Sequence, residues 1–398
     1  MTQQLQDAYI VAATRTPIGK APRGMFKNTR PDDLLVRVLQ SALAQVPNLD
    51  PQTIEDAIVG CSFPEGAQGL NLARMGVLLA GLPKTVGGAT VNRYCASGIT
   101  AVAMAADRIR VGQADVMIAA GAESMSMVPM MGFHPSMNMG IFKDENIGMA
   151  YGMGLTAENV AKQWKVSREA QDQFALESHQ RAIAAQLAGE FNDETTPVEI
   201  LERRPNLATG QIDISRRTVD RDEGARADSS LAALAKLKPV FSPKGSVTAG
   251  NSSQTSDGAG ALILVSEKIL KQFNLTPLAR FVSFAVRGVP PEIMGIGPKE
   301  AIPAALKAGG LTQNQLDWIE LNEAFAAQSL AVMHDLDLDP AKVNPMGGAI
   351  ALGHPLGATG AIRSATVIHA LRRKNLKYGM VTMCVGTGMG AAGIFERM

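Results

Sequence analysis

Two long stretches of this chain, one near each end, repeat the same order of strand-like and helix-like segments. In residues 1–122 short apolar runs alternate with segments of helical periodicity, and residues 275–398 show the same alternation. Strands that alternate with crossover helices predict a mostly parallel sheet covered by helices. The pattern therefore predicts two α/β units, and a chain of 398 residues is long enough to bury both cores.

The repeat extends to individual motifs. The sequence VNRYCASG at residues 91–98 leads into one helix, and in the other half VN at residues 343–344 precedes the helix start HPLG at residues 354–357. Each helix is followed by an apolar strand that ends in glycine-rich chain. Cys95 and His354 thus hold equivalent positions in what we interpret as a duplicated unit. Two unrelated α/β units would also fit the pattern.

Residues 123–251 interrupt the alternation between the two units. This insertion begins with a segment rich in methionine and glycine at residues 125–153, followed by helix-like segments at residues 156–164 and 167–187. Flexible methionine side chains are typical of an adaptable ligand channel, although core or subunit contacts explain them equally well. The apolar run at residues 259–265 is predicted to return to the first unit and complete its sheet.

Overall composition excludes several classes of protein. The 38 Lys and Arg residues balance 37 Asp and Glu, so no general affinity for nucleic acid or anionic membranes is expected. Apolar runs fall well short of the roughly 20 residues that a membrane-spanning helix needs. The polar residues 1–7 lack an export or transit signal, which predicts a cytoplasmic location. Cys61, Cys95 and Cys384 are too few and too dispersed for a disulfide framework, so free thiols are expected.

Cys95 lies at a predicted junction between a strand and a helix. A thiol at a helix N-terminus meets unpaired backbone N–H groups and the positive end of the helix dipole. Both favour the thiolate, which is the nucleophilic form of cysteine. The junction therefore predicts a nucleophile, while a buried structural cysteine fits the same local pattern.

A dense glycine run surrounds His354, with the sequence GGAIALGHPLGATG at residues 347–360. Glycine costs conformational entropy on folding and is favoured where the backbone passes close to another group. Pro355 suits the first turn of the next helix, whose N-terminus disfavours an imidazolium ion. The run therefore predicts that His354 is a neutral base for the Cys95 proton.

Two further candidates follow strands of the second unit. Cys384 ends an apolar strand and precedes a glycine-rich loop whose free N–H groups suit a developing oxyanion. Asn322 follows another strand, where its amide would hold a water or a carbonyl oxygen, although a helix cap alone explains this residue. The sequence contains no metal-ligand spacing and no nucleotide fingerprint. Two thiols and an imidazole without such a cofactor indicate acyl transfer.

These ordered motifs, from ATRTP near the N-terminus to CVGTG near the C-terminus, make the whole chain resemble the thiolases, in particular the 3-ketoacyl-CoA thiolases (acetyl-CoA acyltransferases). The resemblance implies a duplicated five-layered αβαβα fold with an inserted loop domain that binds CoA. We expect an N-terminal half at residues 1–122 plus 252–274, the loop domain at residues 123–251 and a C-terminal half at residues 275–398.

The resemblance also implies a role for each motif. Cys95 would be the nucleophile and His354 its base. Cys384 would be the acid and base that serves the acetyl enolate and the incoming CoA. Asn322 would hold an oxyanion-hole water beside His354, and the N–H groups of Cys95 and Gly386 would form a second oxyanion hole. The CoA contacts implied in this way are Arg226, Ser253, Phe325 and Met153.

The implied reaction transfers an acyl group between a 3-ketoacyl-CoA and CoA through acyl-Cys95. It runs as thiolytic cleavage that releases acetyl-CoA or, in reverse, as a Claisen condensation. CoA is the co-substrate, and neither a metal nor a permanently bound cofactor is expected. Short-chain biosynthetic thiolases carry His at the position of Gly152. The smaller residue leaves room near the acyl site, which favours longer chains and a role in fatty acid β-oxidation.

Three alternatives were weighed against this function. An acetoacetyl-CoA thiolase that works mainly in biosynthesis shares the motifs. A decarboxylating ketoacyl synthase would carry His at the position of Cys384. A non-catalytic lipid- or CoA-binding relative would be expected to lack one of the catalytic residues, and none is missing. The family resemblance further implies a homodimer or homotetramer, and it leaves association with other β-oxidation enzymes open.

Overall fold

The computed structural model describes residues 5–398, so residues 1–4 of the polar N-terminal segment lie outside it. The N-terminal half contains β1 (Tyr9–Arg15), β2 (Gly19–Lys20), α1 (Pro31–Ala44), β3 (Asp56–Gly60), α2 (Leu72–Leu79), β4 (Ala89–Val91), α3 (Ser97–Arg110) and β5 (Val116–Ser124). The insertion and the segment after it contain α4 (Met153–Gln163), α5 (Arg168–Leu187), β6 (Val198–Asn206), β7 (Gln211–Val219), α6 (Leu231–Ala235), β8 (Ser256–Val265) and α7 (Glu267–Phe273). The C-terminal half contains β9 (Ala279–Gly288), α8 (Gly297–Gly309), β10 (Leu316–Leu321), α9 (Ala326–Asp335), α10 (Ala349–Leu352), α11 (Leu356–Arg373), β11 (Tyr378–Val385) and β12 (Met389–Arg397).

Both halves use the same strand order, which confirms the predicted duplication. The first half runs β4-β3-β5-β8-β1, and the second runs β10-β11-β12-β9. A parallel bridge between Ile319 and Val343 occupies the place in the second half that β4 has in the first. The two half-sheets join where Tyr9 and Ile10 of β1 pair with β9.

The prediction of a mostly parallel sheet is wrong. Within residues 5–398, parallel ladders join only β3 to β4, β3 to β5 and β10 to β11. The loop at residues 386–388 is too short for a crossover, so β11 and β12 must run antiparallel. As predicted, β8 returns after the insertion and completes the first half-sheet, lying antiparallel between β5 and β1.

Helices cover both half-sheets and also separate them. The strands are apolar on both faces, so that Met117 of β5 packs toward the central core and Ile118 toward the outer one. Helices α3 and α11 pack together in the centre, α1 and α2 cover the first half-sheet, and α8 and α9 lie against the second. This arrangement confirms the five-layered αβαβα fold. No helix in the described part of the chain is both long and apolar enough to span a bilayer.

The central helices touch through their backbones near their N-termini. A Cβ atom on Gly360 would lie 2.1 Å from the Ile99 nitrogen, and one on Gly98 would lie 2.5 Å from the Ala361 nitrogen. Larger residues at either position would force the helices apart. The glycines therefore bring the start of α3, next to Cys95, close to the start of α11, next to His354.

A buried ion-pair cluster ties the insertion to the first half. The Arg15 guanidinium donates from Nε to Glu194 Oε1 at 2.6 Å and from Nη1 to Asp222 Oδ1 at 2.7 Å. All three side chains are buried. Arg15 thereby neutralises two carboxylates that would otherwise face the interior unpaired.

Replacement of Arg15 by methionine is expected to lower the free energy of unfolding by about 3–5 kcal/mol, because it leaves two buried carboxylates without a cation. Urea titration followed by circular dichroism measures the loss. Arg216→Met is the matched control, because its ion pair with Glu199 is largely exposed and is expected to contribute about 1 kcal/mol or less. Equal losses for the two variants would contradict the prediction.

Candidate active site

Cys95 lies in a short 3-10 turn, Tyr94–Ala96, that links β4 to α3. Tyr94 has a φ of 43°, in the left-handed region that side-chain-bearing residues rarely adopt. The Ser97 hydroxyl holds this turn by donating to the Tyr94 carbonyl at 2.6 Å and accepting the Arg93 N–H at 2.8 Å. The sharp turn places the Cys95 sulfur against its own N–H and against the N–H of Gly386. The two N–H groups that the family resemblance assigns to a second oxyanion hole therefore lie beside the thiol.

Burial raises the pKa of the Cys95 thiol to about 12, although the N–H groups of Cys95 and Gly386 lower it by smaller amounts. The predicted preference for the thiolate is therefore outweighed in the resting site, because burial raises the pKa by more than the two N–H groups lower it. Attack by Cys95 must consequently be coupled to removal of its proton by a nearby base.

The His354 ring is buried between α10 and α11, with hydrogen-bonding groups at both nitrogens. Its Nδ1 lies 2.6 Å from Thr359 Oγ1, and its Nε2 lies 3.4 Å from Asn322 Nδ2. Burial, followed by the positive charge of Arg363, lowers the pKa of His354 to about 3. The ring is neutral as predicted, but desolvation is the main cause instead of the predicted helix terminus.

The glycine run around His354 is held by a buried carboxylate that the sequence analysis did not single out. Glu323 accepts hydrogen bonds from Ser178 Oγ at 2.7 Å, from Asn344 Nδ2 at 2.8 Å and from the Ile350 N–H at 3.1 Å. A Cβ atom on Gly348 would lie 2.2 Å from the Glu323 carboxyl carbon. Glycine is required there because the loop passes directly over this side chain.

Cys384 ends β11 and is fully buried, in an apolar cluster with Phe325 and Met153. Burial raises the pKa of its thiol, and the negative charge of a Cys95 thiolate would raise it further. The two sulfurs are therefore close enough to interact, and Cys384 carries its proton at neutral pH. This arrangement suits a proton donor more than a second nucleophile.

Asn322 is not the cap of a helix, because α9 begins four residues later and has no side-chain cap. The Asn322 N–H donates to the Thr382 carbonyl at 2.9 Å, which holds the residue between β10 and β11. Its side-chain oxygen is buried and lacks a hydrogen-bond partner among residues 5–398. An amide that contacts His354 and retains a free polar atom can hold a small ligand such as water.

The residues that the family resemblance links to CoA lie in two places. Phe325 and Met153 pack beside Cys384 at the inner site, while the Ser253 N–H donates to the Ala324 carbonyl at 2.9 Å. Arg226 lies farther out and lines a cavity of about 400 Å³. This cavity also contains Lys20 and His179, which the sequence analysis missed because they come from distant elements without a shared motif.

Comparison with known proteins supports the resemblance to thiolases along nearly the whole chain. The thiolase N-terminal domain matches residues 8–268, and the thiolase C-terminal domain matches residues 275–397. The chain is 48% identical over 98% of its length to a 3-ketoacyl-CoA thiolase of Bacillus subtilis (strain 168), of which it covers 100%. It is 49% identical, again over 98% of its length, to the peroxisomal 3-ketoacyl-CoA thiolase 2 of Arabidopsis thaliana, of which it covers 84%.

Solved structures agree with these relatives. The chain is 40% identical in sequence to human mitochondrial 3-ketoacyl-CoA thiolase. The crystal structure of that enzyme in complex with CoA matches this structure with a TM-score of 0.87, over 99% of this chain and 98% of that one. The acetyl-CoA acetyltransferase of Bacillus anthracis is 38% identical, with a TM-score of 0.89 over 100% of both chains. The chain therefore belongs to the thiolase family.

Proposed function

We propose that this protein is a 3-ketoacyl-CoA thiolase, an acyltransferase that cleaves a 3-ketoacyl-CoA with CoA and releases acetyl-CoA. The observation that carries the proposal is that the Cys95 and Cys384 thiols interact, while the turn that carries Cys95 packs against α11, the helix that His354 precedes. Relatives that are 46–49% identical and bear the name 3-ketoacyl-CoA thiolase support this substrate class.

In the first step the Cys95 sulfur attacks the 3-keto carbon while its proton passes to His354 Nε2. The negative charge that develops on the keto oxygen is accepted by the N–H groups of Cys95 and Gly386, which already face the sulfur. The neutral His354 can take this proton, whereas an imidazolium ion could not.

In the second step the bond between C2 and C3 breaks, and the acyl group remains on Cys95 as a thioester. The electron pair leaves with acetyl-CoA as an enolate, which takes its proton from Cys384. The high pKa of the buried Cys384 thiol keeps this proton in place until the enolate forms. Asn322, through a bound water, and His354 would stabilise the enolate oxygen.

In the final step CoA transfers its thiol proton to Cys384 and attacks the acyl thioester. Cys95 leaves and recovers its proton from His354, so that both thiols return to their starting state. The covalent acyl intermediate makes the kinetics ping-pong. Every step is reversible, and the opposite direction is a Claisen condensation.

We also propose that CoA extends from the thiols to the cavity beside Arg226. Phe325 and Met153 would flank the pantetheine arm close to Cys384, with Ser253 nearby. The guanidinium of Arg226, together with Lys20 in the same cavity, suits the phosphate groups. The CoA complex of the human mitochondrial relative supports CoA as the co-substrate.

Thiolysis of a 3-ketoacyl-CoA series with free CoA tests the function directly. We expect acetyl-CoA and a shortened acyl-CoA as products, and an acyl mass on Cys95 when CoA is omitted. An acyl mass on another residue would disprove the mechanism. A cutoff at four carbons would instead favour the biosynthetic acetoacetyl-CoA thiolase, and no turnover with any member would favour a non-catalytic CoA-binding relative.

Gly152 supports a degradative role with longer acyl chains. Gly152 is exposed and precedes Met153, and a Cβ atom at this position would have no atom within 4 Å, so a larger side chain fits there without a clash. Gly152→His is expected to lower kcat/KM for medium-chain substrates about 10- to 100-fold more than for acetoacetyl-CoA, because it fills this space. Gly152→Ala is the control and should change the chain-length profile little. A uniform loss across the series would contradict the prediction.

A homodimer or homotetramer is part of the proposal. Strand β4 forms an open edge of the sheet, and Met75, Leu78 and Leu79 of the neighbouring α2 are exposed. An open edge flanked by apolar side chains is typical of a surface that another subunit covers. The cytoplasmic location stays a prediction.

A further inference from the structure

Thr359 contacts His354 Nδ1, the ring nitrogen that the proposed reaction steps do not use. It lies in the first turn of α11, and its Oγ1 is 2.6 Å from His354 Nδ1. Both side chains are buried, with exposed fractions of 1% for Thr359 and 4% for His354. A contact this short between two buried polar groups is a hydrogen bond that water does not weaken.

The proposed role of His354 as the base for Cys95 requires that Nε2 carry no proton and that Nδ1 carry the single N–H. The Asn322 amide nitrogen, which donates, lies 3.4 Å from His354 Nε2, and this placement is compatible with an unprotonated Nε2. In that state the one N–H of the neutral imidazole is on Nδ1 and directed at the Thr359 oxygen. The lone pair of Nε2 is thereby available on the side of Asn322.

We propose that Thr359 is a positioning residue whose hydroxyl holds the His354 proton on Nδ1 and orients Nε2 to accept the proton of Cys95. The inference rests on the proposed function, in which His354 is the base for Cys95. Thr359 does not touch the reacting atoms and acts only through the imidazole ring.

A neutral partner at Nδ1 differs from a carboxylate in one respect. A carboxylate both orients the ring and stabilises the imidazolium ion, whereas a hydroxyl orients it without adding negative charge. Arg363, one turn farther along α11, adds positive charge that disfavours the imidazolium ion. The proton taken from Cys95 is therefore held weakly and is readily returned when Cys95 leaves the acyl group.

Thr359→Val tests the proposal because it removes the acceptor and keeps the branched shape, while Thr359→Ser keeps the hydroxyl. Thr100→Val is the matched control, because Thr100 is buried on α3 and its hydroxyl has no partner in the described structure. Two measurements are needed: kcat and KM for thiolysis, and the rate of Cys95 alkylation by iodoacetamide. In alkylation the sulfur–carbon bond forms, iodide leaves and the thiol proton passes to His354.

We expect Thr359→Val to lower both kcat and the alkylation rate about 10- to 100-fold, which is part of what a positioned base contributes. The KM for CoA should stay within about threefold of the wild-type value. Thr359 contacts neither substrate, and KM rises when contacts that bind the substrate are lost. Thr359→Ser should keep both rates within about threefold of wild type, and Thr100→Val should do the same.

Alkylation of Thr359→Val at the wild-type rate would overturn the proposal, and so would a loss in Thr359→Ser equal to that in Thr359→Val. If the valine variant does not fold, Thr359→Ala removes the same hydroxyl and is judged by the same criteria. Alkylation needs no acyl-CoA, so it tests Thr359 independently of turnover. Failure of the proposed function would appear separately, as a wild-type protein that reacts with iodoacetamide but cleaves no 3-ketoacyl-CoA.

Discussion

Replacement of Cys95 by alanine is expected to lower kcat for thiolysis by about 10⁴- to 10⁶-fold, the range found when a covalent nucleophile is removed. Without this sulfur there is no atom to carry the acyl group between the two half-reactions. CoA would then have to attack the 3-keto carbon directly, without a covalent intermediate. The oxyanion hole and substrate binding would account for any residual rate.

Cys61→Ala is the matched control for this experiment, because Cys61 is also a free thiol and is buried. Its sulfur lies 3.8 Å from Glu123 Oε1, and the proposed mechanism gives it no role. We expect Cys61→Ala to keep activity within about threefold of wild type once any loss of stability, typical of small core truncations, is corrected. Turnover that survives in Cys95→Ala and disappears in Cys61→Ala would reverse the assignment of the nucleophile.

Cys384→Ala is expected to lower thiolytic cleavage by about 10³- to 10⁴-fold, the contribution of a well-placed general acid. The reason is the basicity of the leaving group, since a carbon enolate cannot depart at a useful rate unless it is protonated. Transfer of an acyl group from a simple acyl-CoA to Cys95 should suffer much less, because its leaving group is the weakly basic CoA thiolate. The variant should thus separate the two half-reactions.

Steady-state thiolysis of a 3-ketoacyl-CoA and mass spectrometry of Cys95 after mixing with an acyl-CoA measure the two reactions separately. Cys384→Ser is a useful companion variant, because its hydroxyl keeps a hydrogen-bond donor but is a far weaker acid than a thiol. It should resemble Cys384→Ala in cleavage. Equal losses in cleavage and in acyl transfer would show that Cys384 supports the site structurally instead of protonating the enolate.

Most of the regular structure followed from local sequence patterns. The helix predicted at residues 156–164 is α4 (Met153–Gln163), and the strand predicted at residues 259–265 is β8 (Ser256–Val265). The helix shows apolar periodicity and the strand shows a continuous apolar run, because each is packed against a core. The hairpin of β6 and β7 was missed because most of its side chains face solvent, so the short alternation QIDIS at residues 211–215 does not mark a buried face.

Local sequence patterns could not predict the directions of the strands or the protonation states of the two thiols. Strand direction depends on which strands become neighbours, and β8 reaches its place between β5 and β1 only after the whole insertion. The pKa of Cys95 depends on how completely the sulfur is removed from water. Backbone N–H groups at the start of the helix were expected to lower the pKa, and such groups do lower it. Burial, which the local sequence does not reveal, raises the pKa by more.

The sequence by itself determined which residue types stand at the critical junctions. The duplicated helix starts carry Cys95 and His354, and the strand ends carry Asn322 and Cys384, because turns, caps and glycine-rich loops are encoded locally. Only the tertiary structure decided that both thiols are protonated at rest and that Thr359 and Asn322 occupy opposite nitrogens of His354. The physical reason is that desolvation and ring contacts arise when α3, α11 and two strands of the second half close on one another.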